Sequence, residues 1–279
     1  MAYRDLLLLL DERGGDEAAM AAAVDLAARH DAHLTALFPA IETPLPSFVA
    51  AQMTRSIRDQ QRRQLGDRAG SGRERFETAC KRNGVSCEWR QVTVLSTDAF
   101  ETLTRHARYA DLVIVGQPPL EHGDSDRIDL LQDLILGCGR PVLAVPVIGA
   151  PAGFGGKAMV AWDSGREAAR AVADALPLLQ QARSVEVVTV NARRRRTHGE
   201  EPGADIARHL ARHGVKVEVA QLESGSLAVG DLLLNRAADN GLDLLVMGAY
   251  AHSRLRDFVL GGVTRHMLDH MTLPVFLAH

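Results

Sequence analysis

The sequence is poor in aromatic residues and in long apolar runs. Only 4% of the 279 residues are aromatic, so the hydrophobic cores must be built from Leu, Val, Ile and Ala. The early apolar run DLLLLL is far too short to span a bilayer. The first residues also lack the basic region and apolar segment that are typical of a secretion signal. We therefore expect a cytoplasmic protein with no membrane partner.

Cysteine is also scarce, and basic residues are not in excess over acidic ones. Cys80, Cys87 and Cys138 follow no metal-binding or redox spacing, which predicts reduced, partly buried thiols. The formal net charge of -3 argues against nucleic acid as a partner, because phosphate backbones select basic surfaces. With 46% hydrophobic and 24% charged residues, the composition is that of an ordinary globular protein.

Apolar runs of strand length alternate with helical patterns along the whole chain. YRDLLLLLDE, DLVIVGQP and LDLLVMGAY are continuous apolar runs, as expected for strands buried on both faces of a parallel sheet. The Ala-rich segments between them have helical spacing. A polar segment that ends at Asn83 predicts a helix with a break at GSG, residues 70–72. The pattern predicts an α/β fold with doubly wound parallel sheets.

Three pairs of segments indicate an internal duplication. Asp11 matches Asp163 at the end of a first strand, ADLVIVG matches LDLLVMG, and RPVLAVP matches LPVFLAH. The Gly- and Pro-rich stretch PVIGAPAGFGGK is the natural linker. We therefore expect two tandem five-stranded domains, at residues 1–148 and 156–279.

The residues with the clearest chemical potential lie in the second half. Ligands of open parallel sheets bind beyond the carboxyl ends of the strands. Asp163, Val190 and Gly248 are expected at three such ends. Gly261 and Gly262 then open a helix, whose free N–H groups suit an oxyanion. His252 and Ser253, in the preceding loop, are candidate further donors. Two alternatives stay open: the glycines serve only as turn residues, and Asp163 only caps the helix near Arg166.

These residues resemble the nucleotide-binding pattern of the universal stress protein family, which has the UspA fold. In the nucleotide-binding members of that family, the last loop has the sequence Gly, two residues, Gly, nine residues, Gly, then Ser or Thr. This register falls on Gly248, Ala251, Gly261 and Gly262. The family's acid and apolar residue, which contact ribose and adenine, fall on Asp163 and Val190. The resemblance extends over nearly the full length and implies a tandem member of the family.

Two positions depart from the family pattern. Ala251 replaces a glycine and so disfavours a positive φ, and Gly262 lacks the hydroxyl that would donate to a phosphate. Thr264, in the first turn of the same helix, is a candidate replacement. The resemblance thus implies ATP, with or without Mg²⁺, in the C-terminal domain only. Weakened ATP binding and no binding remain alternatives.

The first half lacks the phosphate end of this pattern. Alignment of Pro141 with Pro274 places Ile128 and Asp129 where the second half has Gly261 and Gly262. Prolines and acids follow Gly116; prolines lack a donor N–H and carboxylates repel phosphates. We expect a degenerate domain that binds no ATP.

The resemblance implies a stress-response regulatory module that binds an adenine nucleotide and is not an enzyme, with at most weak ATP hydrolysis. A signalling or protein-interaction module that binds no nucleotide is the alternative. The histidine pairs 209/213 and 266/270 are expected at the surface rather than on a metal. The two domains are expected to pair within one chain through RPVLAVP and LPVFLAH, and a homodimer of chains remains open.

Overall fold

The computed structural model describes residues 2–11, 16–42, 55–118, 125–192, 201–250 and 262–279. In its first half, strands alternate with helices as the hydrophobic pattern predicts. The order is β1 (Asp5–Leu9), α1 (Glu17–His30), β2 (His33–Glu42), α2 (Arg55–Asn83), β3 (Cys87–Leu95), a short 3-10 turn (Ser96–Asp98), α3 (Ala99–Ala107), β4 (Leu112–Gly116), α4 (Ser125–Gly137) and β5 (Val142–Val145).

The second half repeats this alternation. The order is β6 (Lys157–Ala161), α5 (Arg166–Leu179), β7 (Ser184–Val190), α6 (Ala204–Arg212), β8 (Val217–Leu222), α7 (Val229–Asn240), β9 (Leu244–Gly248), α8 (Gly262–His270) and β10 (Val275–Ala278). The central strands β4, β5, β9 and β10 are buried along almost their whole length, since helices cover both faces of the sheet.

The ten strands form one continuous sheet, in the order β3-β2-β1-β4-β5-β10-β9-β6-β7-β8. Within each half all neighbouring strands are parallel, and the order reverses beside the first strand of that half. The predicted fold, two doubly wound five-stranded parallel sheets, is confirmed.

The two halves meet through their last strands. Strand β10 runs antiparallel to β5, with Phe276 opposite Leu143 and Val275 opposite Ala144. This is the pairing predicted from the RPVLAVP and LPVFLAH segments. Because this pairing is antiparallel, the carboxyl ends of the strands in the two halves point to opposite ends of the sheet. A ligand site at each carboxyl edge would therefore lie at opposite ends of the molecule.

The helix layers are also continuous across the seam, which is the junction of β5 with β10. Buried residues of both halves form one core on each face of the sheet. Phe154, in the connection between the halves, is 1% exposed, and the Arg29 guanidinium lies 5.1 Å from its ring centroid. The Tyr3 hydroxyl donates a 2.8 Å hydrogen bond to the carbonyl of Asp174 in the other half. The connection thus packs as part of the core.

The predicted break at GSG is wrong, because α2 runs unbroken through residues 70–72. Gly72 is buried against β3, and a Cβ there would lie 3.3 Å from the Trp89 indole. The glycine therefore lets the helix approach the sheet closely instead of ending it. The stacking of Phe38 on Trp89, with ring centroids 5.8 Å apart, completes this contact. No helix among the described residues is long and apolar enough to cross a membrane.

Phe276→Ala tests the seam. Phe276 is fully buried opposite Leu143, so truncation leaves a cavity at the junction of the halves. We expect the free energy of unfolding to fall by about 3–5 kcal/mol in urea denaturation. Val147→Ala is the control: its side chain is 60% exposed and should change stability by less than about 0.5 kcal/mol. Equal losses of unfolding free energy in the two variants would contradict the tight packing of Phe276 at the seam.

Candidate functional site at the carboxyl edge of the second half

The strand order brings the predicted site residues to one edge. Strand β6 lies between β9 and β7, and all three are parallel. Asp163 follows β6, Val190 ends β7 and Gly248 ends β9. The order of strands reverses between β6 and β9, and open α/β sheets bind ligands in the crevice at such a point.

The carboxylate of Asp163 organises the entry to α5. Its Oδ1 accepts a 2.8 Å hydrogen bond from the backbone N–H of Gly165, the residue that precedes the helix. The helix begins after the N-cap residue Gly165 and has no side-chain capping hydrogen bond, so Asp163 stabilises the turn before α5 and does not cap the helix. The side chain is partly exposed, so the site remains in contact with solvent.

Left-handed backbone conformations concentrate at this edge. Four non-glycine residues among those described have positive φ, and three of them follow strands β6, β7 and β9: Ser164 (63°), Asn191 (55°) and Tyr250 (57°). Each such conformation costs free energy, and clusters of them are characteristic of ligand sites. The sequence analysis predicted none of these conformations; of the three residue types, only asparagine tolerates this region better than most.

Asn191 also joins the ends of two strands. Its amide Nδ2 donates to Ser224 Oγ at 2.9 Å, and its Oδ1 accepts from the Ser224 backbone N–H at 3.0 Å. These two bonds fix the turn that follows Val190, whose side chain is partly exposed at the edge. The sequence analysis did not find this pair, since Ser224 follows β8, 33 residues further along the chain.

Gly248 has a packing role that the sequence did not reveal. A Cβ on Gly248 would lie 2.5 Å from the backbone nitrogen of Ala168 and 2.7 Å from the carbonyl carbon of Glu167. Only glycine lets the first turn of α5 approach the end of β9 this closely. Since α5 is docked by backbone contact, its N-terminus is held at the crevice.

Thr264 connects the end of β9 to α8. The Thr264 hydroxyl is buried, and its Oγ1 accepts a 3.2 Å hydrogen bond from the backbone N–H of Tyr250. Burial raises the pKa of the Tyr250 phenol above its ordinary value; the nearby Arg265 charge opposes this shift, and the nearby acids, Asp129 first among them, add to it. Gly262 at the start of α8 is exposed, with no atom within 4 Å of an added Cβ.

Several predicted residues lie outside the described part of the chain. They are Ala251, His252, Ser253 and Gly261. Their placement in the site stays a prediction.

In the first half, an arginine lies against the acid that matches Asp163. Arg127, in the first turn of α4, forms an ion pair with Asp11 at the end of β1. Asp16 Oδ2 accepts a 2.6 Å hydrogen bond from the Asp11 backbone N–H. The first half therefore keeps the acid but neutralises it with a residue of its own chain.

Helix α8 rests on the first half. Gln117, which follows β4, donates from Nε2 to the carbonyls of Leu268 (2.9 Å) and Asp269 (3.2 Å) near the C-terminus of α8. Arg265 lies 4.0 Å from a carboxylate oxygen of Asp129 on α4. The helix whose N-terminus faces the candidate site is thus held at its other end by the opposite domain.

One histidine pair lies at the C-terminal end of α6, where His213 follows the last helical residue, and the other lies on α8. His209 and His213 have ring centroids 4.7 Å apart, and the His266 ring stacks on His270 at 4.3 Å. The Nε2 of His266 is 2.8 Å from Asp231 Oδ1, so that ring links α8 to the first turn of α7. Within the described ranges, no three potential ligands are grouped to hold a metal ion.

Gly248→Ala should be destabilising, and Gly116→Ala is the matched control at the equivalent strand end of the first half. A Cβ on Gly116 would meet Asp16 Oδ1 at 3.4 Å and Ala19 Cβ at 3.7 Å, which are ordinary contacts. We expect Gly248→Ala to lower the free energy of unfolding by about 1–3 kcal/mol, because backbone atoms must move. Gly116→Ala should change it by less than about 1 kcal/mol. Thermal unfolding of both variants checks this, and equal losses would be inconsistent with the contact.

Asp16→Asn should alter the pH dependence of stability. Burial raises the pKa of the Asp16 carboxyl to about 7, Glu17 raises it further and Arg75 opposes the shift. Since the folded pKa exceeds the unfolded one, the folded state binds the proton more tightly. Stability from this group is thus present below about pH 4 and is lost as the pH rises to about 7.

The asparagine is neutral throughout and keeps an acceptor for the Asp11 N–H. Between about pH 4.5 and pH 8, the original chain should lose roughly 1–3 kcal/mol more stability than the variant. Urea unfolding at several pH values measures this difference. Parallel curves for the two proteins would show that Asp16 does not titrate in this range.

Comparison with known proteins relates the second half to a known family. The universal stress protein family model matches residues 156–279. A universal stress protein of Synechocystis sp. is 38% identical over 69 residues, which are 24% of this chain and 22% of that protein. The chain thus matches only about a fifth of the length of that curated relative.

Two solved structures cover both halves. A universal stress protein from Archaeoglobus fulgidus superposes with a TM-score of 0.75 and 13% identity, over 98% of this chain and 95% of its own. A functionally unknown protein from Pseudomonas aeruginosa gives a TM-score of 0.61 and 18% identity, over 99% and 92%. At these identities the likeness shows the fold. Residues 156–279 thus match the universal stress protein family model, and the first half repeats the same fold, which gives the chain a tandem, two-domain arrangement.

Proposed function

We propose that the protein is a stress-response regulatory module that binds ATP or a related adenine nucleotide in its C-terminal domain, residues 156–279. The observation that carries the proposal is the convergence of Asp163, Val190 and the N-terminus of α8 at the switch point of the second half. The first domain, residues 1–148, is the degenerate partner in this proposal.

The chemistry of this edge suits the two ends of a nucleotide. Asp163 offers a carboxylate that accepts hydrogen bonds from ribose hydroxyls, and Val190 offers an apolar surface to the base. The α8 N-terminus offers backbone N–H groups and a partial positive charge to the phosphates. Gly262 is exposed and its backbone is unobstructed by neighbouring atoms, which favours close approach of an oxyanion.

The hydroxyl missing at position 262 has one candidate replacement. Thr264 lies two residues further along, where its oxygen already accepts a hydrogen bond from the Tyr250 N–H. The hydroxyl proton is a separate donor, so this contact leaves Thr264 able to donate. Burial at 3% exposure favours a role in holding the end of β9 to α8. In the proposal, the backbone of α8 supplies the main phosphate contacts.

The first domain is proposed not to bind ATP. The Arg127–Asp11 ion pair engages the acid that would contact a ribose. Helix α4 carries Asp129 at the position aligned with Gly262, and that carboxylate faces Arg265. A triphosphate there would meet carboxylates in place of glycine N–H groups.

Regulation would pass through α8. Its N-terminus faces the nucleotide site, and its C-terminal carbonyls are bound by Gln117 of the first domain. Phosphate contacts that shift α8 along its axis would therefore alter the contact between domains and the surface offered to a partner. The proposal is of binding and not of turnover, with at most weak ATP hydrolysis and with Mg²⁺ as an accompanying ion.

Substitutions at Gly262 test the phosphate contacts without disturbing the core. A Cβ added at this exposed position would have no atom of the described residues within 4 Å. Gly262→Asp should weaken ATP binding at least tenfold by charge repulsion, while Gly262→Asn should retain most of the affinity. Gly262→Ser restores a hydroxyl and should strengthen binding by about 0.5–1.5 kcal/mol. Calorimetry with Mg-ATP measures all four proteins.

Mass spectrometry of the purified protein for bound nucleotide is the companion measurement. If neither method detects nucleotide at millimolar ligand, the proposal fails and the alternative, a signalling or protein-interaction module without nucleotide, takes its place. If ATP binds but Gly262→Asp keeps full affinity, the phosphates lie elsewhere and the placement at α8 is wrong.

A further inference from the structure

The first domain contains a cavity that the nucleotide proposal does not use. It has a volume of about 630 Å³ and lies at the carboxyl edge of β1, β2, β3 and β4, between these strand ends and helices α3 and α4. This volume is in the range of sites that enclose a small organic molecule. Because the two carboxyl edges point in opposite directions, the cavity is separate from the site beside Asp163.

The walls of the cavity are mainly apolar. Leu103 of α3, Leu131 and Leu134 of α4 and Val115 of β4 are buried residues that line it, and Phe100 adds an aromatic ring. An apolar body of ligand size placed here would lose its contact with water, which is favourable at about 25 cal/mol per Å² of apolar surface. The cavity therefore selects a ligand with a substantial apolar part.

The charged groups that line the cavity are predominantly acidic. They comprise the carboxylates of Asp11, Asp129 and Asp133, the partly buried acid Asp16 and one guanidinium, from Arg127. Arg127 is already paired with Asp11, so the two inner charges offset each other. Asp129 and Asp133 are exposed residues that lie one helical turn apart on α4, at the mouth. This balance repels anions and attracts a cation.

We propose that this cavity binds a small organic amine, whose apolar body lies against the leucines of α3 and α4 and whose ammonium group lies beside the carboxylates of α4. The ammonium donates to Asp133 and Asp129 at the mouth, where it also keeps contact with water. A nucleotide is excluded by the same carboxylates. The first domain thus has a ligand of opposite charge to the one proposed for the second domain.

Three probes with a common indole body separate the contributions of charge and apolar surface. Tryptamine carries an ammonium group, tryptophol a neutral hydroxyl and indoleacetate a carboxylate. Calorimetry on the full chain should show the affinity order tryptamine, tryptophol, indoleacetate, with tryptamine at least about fivefold tighter than tryptophol. The proposal is overturned if tryptamine does not bind at millimolar concentration, or if either of the other probes binds as tightly.

Asp133→Lys locates the site. Asp133 is exposed, so reversal of its charge leaves the core intact, whereas Asp129 already faces Arg265 and is a less clean test. The variant should bind tryptamine at least about fivefold more weakly. Asp205→Lys is the matched control, because Asp205 is an exposed side chain on α6 of the other domain. This variant should bind tryptamine as tightly as the original chain does. An unchanged affinity for Asp133→Lys, or an equal loss for Asp205→Lys, contradicts the assignment.

The Gly262→Asp protein keeps this test independent of the nucleotide proposal. Its tryptamine affinity should equal that of the original chain, whether or not the second domain binds ATP. A change in tryptamine affinity in that variant would place the amine at the α8 N-terminus and overturn the assignment to the first domain.

Discussion

The antiparallel pairing of β5 with β10 is the interaction on which the rest of the molecule depends. Each half has five parallel strands, and its last strand has one free edge of backbone N–H and C=O groups. Pairing the two edges satisfies both at once and gives one sheet of ten strands. It also fixes the directions of the two carboxyl edges, so that one proposed site lies at each end of the sheet.

Helix α8 connects these two ends. Its first residue, Gly262, lies at the edge of the second half, and the carbonyls of its last turn accept hydrogen bonds from Gln117, which lines the cavity of the first half. A nine-residue helix is about 13 Å long, so a rigid displacement at one end is felt at the other.

Most of the fold was predictable from the sequence because its signals are local. The apolar runs, the Ala-rich helical patterns and the repeated segments identified the strands, the helices and the duplication. The break at residues 70–72 was predicted wrongly, since a glycine that opens room for Trp89 looks the same in sequence as one that ends a helix. The close contact of Gly248 with the backbone of Ala168 was hidden for the same reason.

The site was predictable only in part. The strand ends that carry Asp163, Val190 and Gly248 follow from the parallel topology, and the structure brings them to one edge. The Asn191–Ser224 pair and the Arg127–Asp11 ion pair join residues far apart in the chain, and neither spacing nor composition signals such contacts. Only tertiary packing determines that Asp163 stays partly exposed to solvent, whereas Asp11 is neutralised by Arg127.

Covalent linkage of the halves also changes how the seam can evolve. In a symmetric dimer of identical chains, every substitution at the interface appears twice, so a change that suits only one side is penalised on the other. Here Leu143 and Phe276 face each other once, and each can vary alone. Association is intramolecular, so it does not weaken on dilution. Each half can therefore vary in its own cleft while the pairing of β5 with β10 is kept.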